Sequence, residues 1–102
     1  MKIVAIIPLI AVVLLMAGCG GHGVVESGTY TGTISKVEPE KLEIYVQLEN
    51  GPEVELYFKD FTTLTRGDAP AEFSALTAGQ KVEVEVKKTG KRMDPLRVKI
   101  LP

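Results

Sequence analysis

Leu42-Glu43-Ile44-Tyr45-Val46-Gln47-Leu48 and, after Asn50-Gly51-Pro52, Val54-Glu55-Leu56-Tyr57-Phe58 decide the fold. In both runs every second residue is apolar, the period of a strand with one face in a core and the other in solvent. The two runs form a hairpin. Core-facing residues meet only if paired position numbers add to an even value, and a sum of 102 sets Leu48 opposite Val54, Val46 opposite Leu56 and Ile44 opposite Phe58. The same register sets Tyr45 opposite Tyr57 and Glu43 opposite Lys59, both favourable cross-strand pairs. A two-residue Asn50-Gly51 turn gives an odd sum and drives Leu48 against Glu53, so the loop is expected to hold three or more residues.

Working outward, Val82-Glu83-Val84-Glu85-Val86 and Leu96-Arg97-Val98-Lys99-Ile100 form a second hairpin. A sum of 182 pairs Val84 with Val98, Glu85 with Arg97 and Glu83 with Lys99. The stretch between, Lys87 to Pro95, reads as an exposed, mobile loop. Thr29 to Val37 is a first strand alternating Tyr30, Gly32 and Ile34 and changing parity at Val37, with Gly32 as a bulge or tight bend. Phe61 to Gln80 lacks alternation. There Asp68 is expected to cap a short helix from Ala69-Pro70 to Gly79, or one turn of 3-10 helix takes its place. The expected core is Ile34, Leu42, Ile44, Val46, Leu48, Val54, Leu56, Phe58, Phe73, Leu76, Val82, Val84, Val86, Leu96, Val98 and Ile100.

The N-terminal end is of a different kind. Lys2 precedes the uncharged apolar run Ile3 to Met16, and Ala17-Gly18-Cys19 follows. Met16-Ala17-Gly18-Cys19 resembles the cleavage site of a bacterial lipoprotein signal, with methionine where leucine is usual. That resemblance implies removal of residues 1–18, a lipid on the sulfur of Cys19 and membrane attachment through it. An uncleaved transmembrane helix is the alternative, disfavoured by Gly18, Gly20 and Gly21 and by the lack of a basic stop-transfer cluster. Either way the rest of the chain is expected outside the cytoplasm, in the cell envelope. Gly20 after Cys19 lacks the aspartate that signals inner-membrane retention in some diderm bacteria, which favours the outer membrane or cell surface. Residues 19–28 read as a glycine-rich tether and 29–102 as one domain. A single cysteine makes no internal disulfide.

Five strands with a glycine in the first and a helical insert after the third resemble the OB-fold, a small partly open barrel. More narrowly, Gly32-Thr33-Ile34 and Leu76-Thr77-Ala78-Gly79-Gln80-Lys81-Val82-Glu83-Val84 resemble small bacterial envelope domains of unknown function. What this implies is an all-β domain with minor helix, and export; no catalytic residues come with it. The expectation is a five-stranded OB-like barrel with a short helix or 3-10 turn between strands 3 and 4.

Chemistry is scarce. His22 and Cys19 lie in the tether, so Ser27, Ser35 and Ser74 have no base, no zinc ligand set exists, and no nucleotide or calcium motif is present. No enzyme, metal or cofactor is expected, with a small hydrolase as a remote alternative. With 12 Lys+Arg against 13 Asp+Glu, a net charge of −1, the chain is no dedicated nucleic-acid binder. The outer face of strands 2 and 3 is the usual contact surface of such barrels and here presents Glu43, Tyr45, Gln47, Glu55, Tyr57 and Lys59. Aromatic rings beside carboxylates and an amide suit a glycan or a lysine-bearing protein segment. Tyrosines that merely stabilise the hairpin are the plain alternative. The basic 81–99 region opposes an acidic 38–55 region, read as surface charge, with headgroup contact or self-association as alternatives. The sequence thus predicts a lipid-anchored binding or adaptor module, or else an envelope component that works by self-association.

Overall fold

A computed structural model of the chain describes residues 23–102; the expected signal segment, Cys19 and His22 lie outside the described residues. Seven strands form one sheet: β1 (Gly28–Glu38), β2 (Glu43–Leu48), β3 (Glu53–Tyr57), β4 (Thr63–Arg66), β5 (Ala69–Pro70), β6 (Lys81–Thr89) and β7 (Arg92–Ile100). Their order is β3-β2-β1-β6-β7-β4-β5, with β3 coming back against β7 to wrap the sheet into an OB-like barrel. Every pairing is antiparallel except β4 with β7.

The expected count of five is corrected to seven, and the reason lies after Phe58. The chain breaks stride in a turn where the Thr62 hydroxyl donates to the Pro95 carbonyl at 2.7 Å, then resumes as β4 along β7. Thr63-Leu64-Thr65-Arg66 offers one buried apolar residue, Leu64, so period two has nothing to repeat. Gly67, at φ +61°, turns the chain into the two-residue β5. Asp68 therefore belongs to a β-turn and caps no helix. The 3-10 alternative holds, as Phe73–Ala75, and its Phe73 ring meets Phe58 edge-on at 5.0 Å.

The second hairpin keeps its expected register over Val82–Glu85, with Val84 on Val98, Glu85 on Arg97 and Glu83 on Lys99. Beyond it the expected mobile loop is instead more strand, up to a two-residue turn at Gly90, φ +63°, and Lys91. Such a turn needs an odd sum, and a bulge at Leu96 changes the parity. Leu96 is thereby half-exposed rather than core, while Met93 and Pro95 turn inward.

In the first hairpin the even sum holds but its value is 100: Val46 pairs with Val54, Ile44 with Leu56, Tyr45 with Glu55 and Glu43 with Tyr57. The slip of two residues leaves every side chain on its expected face and changes its neighbours. The tighter loop is closed by the Leu48 N–H on the Pro52 carbonyl at 3.2 Å and by the Gln47 amide donating to the Gly51 carbonyl at 2.9 Å. Leu42 leaves the core, 48% exposed at φ +52° after the Pro39–Lys41 turn. Phe58 and Phe73 pack only partly buried on a core of fourteen apolar side chains that includes Ile34, Ile44, Val84 and Val98.

In β1 the register shifts between Ile34 and Lys36, so the bulge is at Ser35 and accounts for the change of parity at Val37. Gly32 serves a different purpose. A Cβ there would lie 2.5 Å from the Gln47 carbonyl oxygen and 2.8 Å from Val46 Cγ1, so β1 and β2 cross too closely for any side chain.

Candidate functional site

The bulge at Ser35 aims the end of β1 at the outer face of β2 and β3. The Ser35 hydroxyl contacts the Glu53 carboxylate and lies 3.3 Å from the Tyr45 carbonyl. Lys36 pairs with Glu38 at 2.9 Å and places its ammonium 5.4 Å from the centre of the Tyr45 ring, while Lys59 holds its own 6.0 Å from that of Tyr57. Glu38 raises the Lys36 ammonium above its usual 10.5, and Lys36 lowers the Glu38 carboxyl.

The expected contact residues do share this region, in altered company. The register places each tyrosine opposite a carboxylate instead of opposite the other tyrosine. Hydrogen bonding to Glu55 comes first among the causes that push the Tyr45 phenol from 10.0 to about 12; desolvation and the Glu55 and Glu43 charges add to it. Tyr57 is raised too, by its leaning toward Glu43 and then by desolvation. Tyr45 is half-buried, Gln47 is exposed and engaged in the turn, Glu55 is half-buried, and Tyr57 and Lys59 are exposed.

Glu43 is not a surface group. It is 0% exposed, and neither carboxylate oxygen has a hydrogen bond of acceptable distance and angle, the Tyr57 phenol included. Its charge reaches Lys36 and both tyrosines through space.

Sequence reasoning missed the residues that flank Tyr57. The Gly23 N–H donates to the Glu53 carbonyl at 2.8 Å, the Val25 N–H to the Met93 sulfur at 3.3 Å, and the Ser27 hydroxyl accepts from the Lys88 N–H at 2.8 Å. Residues 23–27, expected as free leash, thus form a strap along the barrel. Strap, β3 and the β6–β7 turn enclose an open cleft of about 250 Å³ lined by Gly23, Val24, Glu55, Tyr57, Lys91, Arg92 and Met93. The parity change at Val37 signals the bulge at Ser35; no feature of the sequence announces the strap.

No family model matches the chain, and no curated protein does. Solved structures do. Ag(I)-bound CusF from Escherichia coli is 16% identical with a TM-score of 0.57, over 74% of this chain and 91% of that one. A Cu(II)-bound tryptophan-to-alanine variant of CusF from the same organism gives 17% and 0.56 over the same shares, and apo-CusF 16% and 0.56 over 74% and 87%. At such identity the likeness is one of fold: the chain is an OB-like β-barrel.

Proposed function

We propose that this chain is a non-enzymatic binding module, held outside the cytoplasm by a lipid on Cys19, whose tyrosine face of β2 and β3 takes a protein or glycan partner. The observation that carries the site is Tyr57: an aromatic ring 42% exposed, with Glu55 on the same strand and the Lys59 ammonium over it. Such a surface stacks on an apolar face and hydrogen-bonds around it. Met16-Ala17-Gly18-Cys19 after an apolar run supports the anchor. No helix among the described residues is long and apolar enough to cross a membrane.

CusF structures hold Ag(I) or Cu(II), but this chain is not proposed as a carrier of soft metals. The described residues include no His or Cys and one methionine, Met93, which is buried and whose sulfur is engaged by the Val25 N–H. No group of three or more acidic side chains among them is placed to hold a metal ion either.

Crosslinked capture of the lipidated protein from native membranes, wild type against Tyr57→Ala and Tyr45→Ala/Tyr57→Ala, tests the site. A partner enriched by wild type and lost with Tyr57→Ala is the expected result. Equal enrichment by folded variants overturns it, and recovery of the chain alone, with self-crosslinks, favours self-association.

A further inference from the structure

Two features far apart in sequence meet at one end of the barrel. The strap leaves the domain at Gly23, and Gly23 and Val24 line the same cleft as Lys91 and Arg92 of the β6–β7 turn. The point of attachment and the basic hairpin tip therefore lie side by side. The tip carries Lys87, Lys88, Lys91 and Arg92. Of the acidic groups beside it, Glu26 is paired with Lys88 at 3.0 Å and Asp94 with Arg92 at 3.2 Å. Lys87 and Lys91 are exposed, and no ion pair engages either among the described residues. Glu55, on the far wall of the cleft, is occupied with Tyr45.

We infer that the β6–β7 tip is a docking surface for the anionic phospholipid headgroups of the membrane that holds the chain. The inference rests on the proposed anchor at Cys19. From Cys19 to Gly23 the chain can extend at most about 14 Å, since a residue spans at most about 3.3–3.6 Å. The strap's bonds to β3 and β6 prevent it from paying out further slack. That reach is close to the roughly 8–10 Å over which salt leaves surface charge effective. A basic tip at the exit point is thus kept where lysines gain from anionic lipid, and the nearby exposed Val24 and Tyr57 are side chains that tolerate the headgroup region. Docked this way, the tyrosine face stands alongside the bilayer, so its partner is met at the membrane surface.

The full lipidated chain, reconstituted in vesicles of phosphatidylcholine alone or with phosphatidylglycerol, is labelled with an amine-reactive reagent and read lysine by lysine by mass spectrometry. Lys87 and Lys91 should label several-fold more slowly on the anionic vesicles, with the difference abolished in concentrated salt and Lys41 unaffected. In Lys87→Glu/Lys91→Glu, two exposed changes that leave the core intact, the several-fold protection of Lys88 on anionic vesicles should be lost, given the lipid attraction of each removed charge. Equal labelling on both vesicle types while the protein floats with both in concentrated salt overturns the docking surface and leaves the anchor standing. Failure to float with neutral vesicles overturns the anchor. In that case protection of Lys87 and Lys91 on anionic vesicles still upholds the surface, and its absence overturns it.

Discussion

Replacing Glu43 by methionine should make the protein more stable. Its carboxylate is fully buried and neither oxygen has a hydrogen bond of acceptable geometry, the nearby Tyr57 phenol included, and a polar group buried without a hydrogen bond costs about 1–3 kcal/mol, more when charged. Methionine keeps the unbranched stem and removes the polar atoms, so a gain of about 2 kcal/mol is expected. For a domain this small that corresponds to a rise in Tm of about 8–16 °C. Urea unfolding at unchanged slope gives the free energy, and a thermal melt followed by circular dichroism gives the Tm. Glu43→Gln removes the charge but leaves an unmet amide, and should gain less. A tightly held ion pair with Lys36 would give the opposite sign, a loss of about 3–5 kcal/mol on removing one partner. A methionine variant less stable than wild type by more than about 1 kcal/mol would thus refute the claim that this carboxylate is unsatisfied.

Gly32→Ala should destabilise by about 1–3 kcal/mol in urea unfolding, because its Cβ would meet the fixed Gln47 backbone and not a movable side-chain tip. Ile44→Ala, at a position 0% exposed, should cost about 2–5 kcal/mol, a large part of a marginal total, measured the same way. A spectrophotometric titration should find one phenol ionising at about 12 that Tyr45→Phe removes. Because folding raises that pKa, the stabilisation Tyr45 gives through Glu55 is fully present below 10.0 and is lost as pH climbs from there to about 12, which unfolding at stepped alkaline pH can follow.

Most of the barrel wall was legible because period two marks a face whichever partner a strand finds. The face of every residue in Ile44–Leu48 and Val54–Tyr57 follows from alternation alone, and the ladder of Glu83 and Glu85 against Lys99 and Arg97 was readable because charge and parity agreed on one register. Parity cannot tell a sum of 100 from 102. That choice was made by the turn, through the Gln47 amide and the Leu48–Pro52 bond, and it decides whether Tyr45 meets Tyr57 or Glu55. β4 stayed hidden because its partners are backbone groups of β7 that any sequence offers. The site suffered most: its residues were named, but the burial of Glu43 and the strap beside Tyr57 depend on contacts between segments far apart in the chain.

The single parallel pairing also orders events in time. β4 meets β7 with a constant offset, Thr63 on Arg97 through Arg66 on Ile100, whereas the two hairpins pair residues across short turns. Contacts that close large loops form slowly because their entropy is lost before the contact rewards it. The two hairpins should nucleate early, and β4 should wait until residue 100 is available. A chain emerging with its N-terminus first therefore keeps Leu64 uncovered and the barrel open through most of its synthesis, and the barrel closes only when β7 arrives.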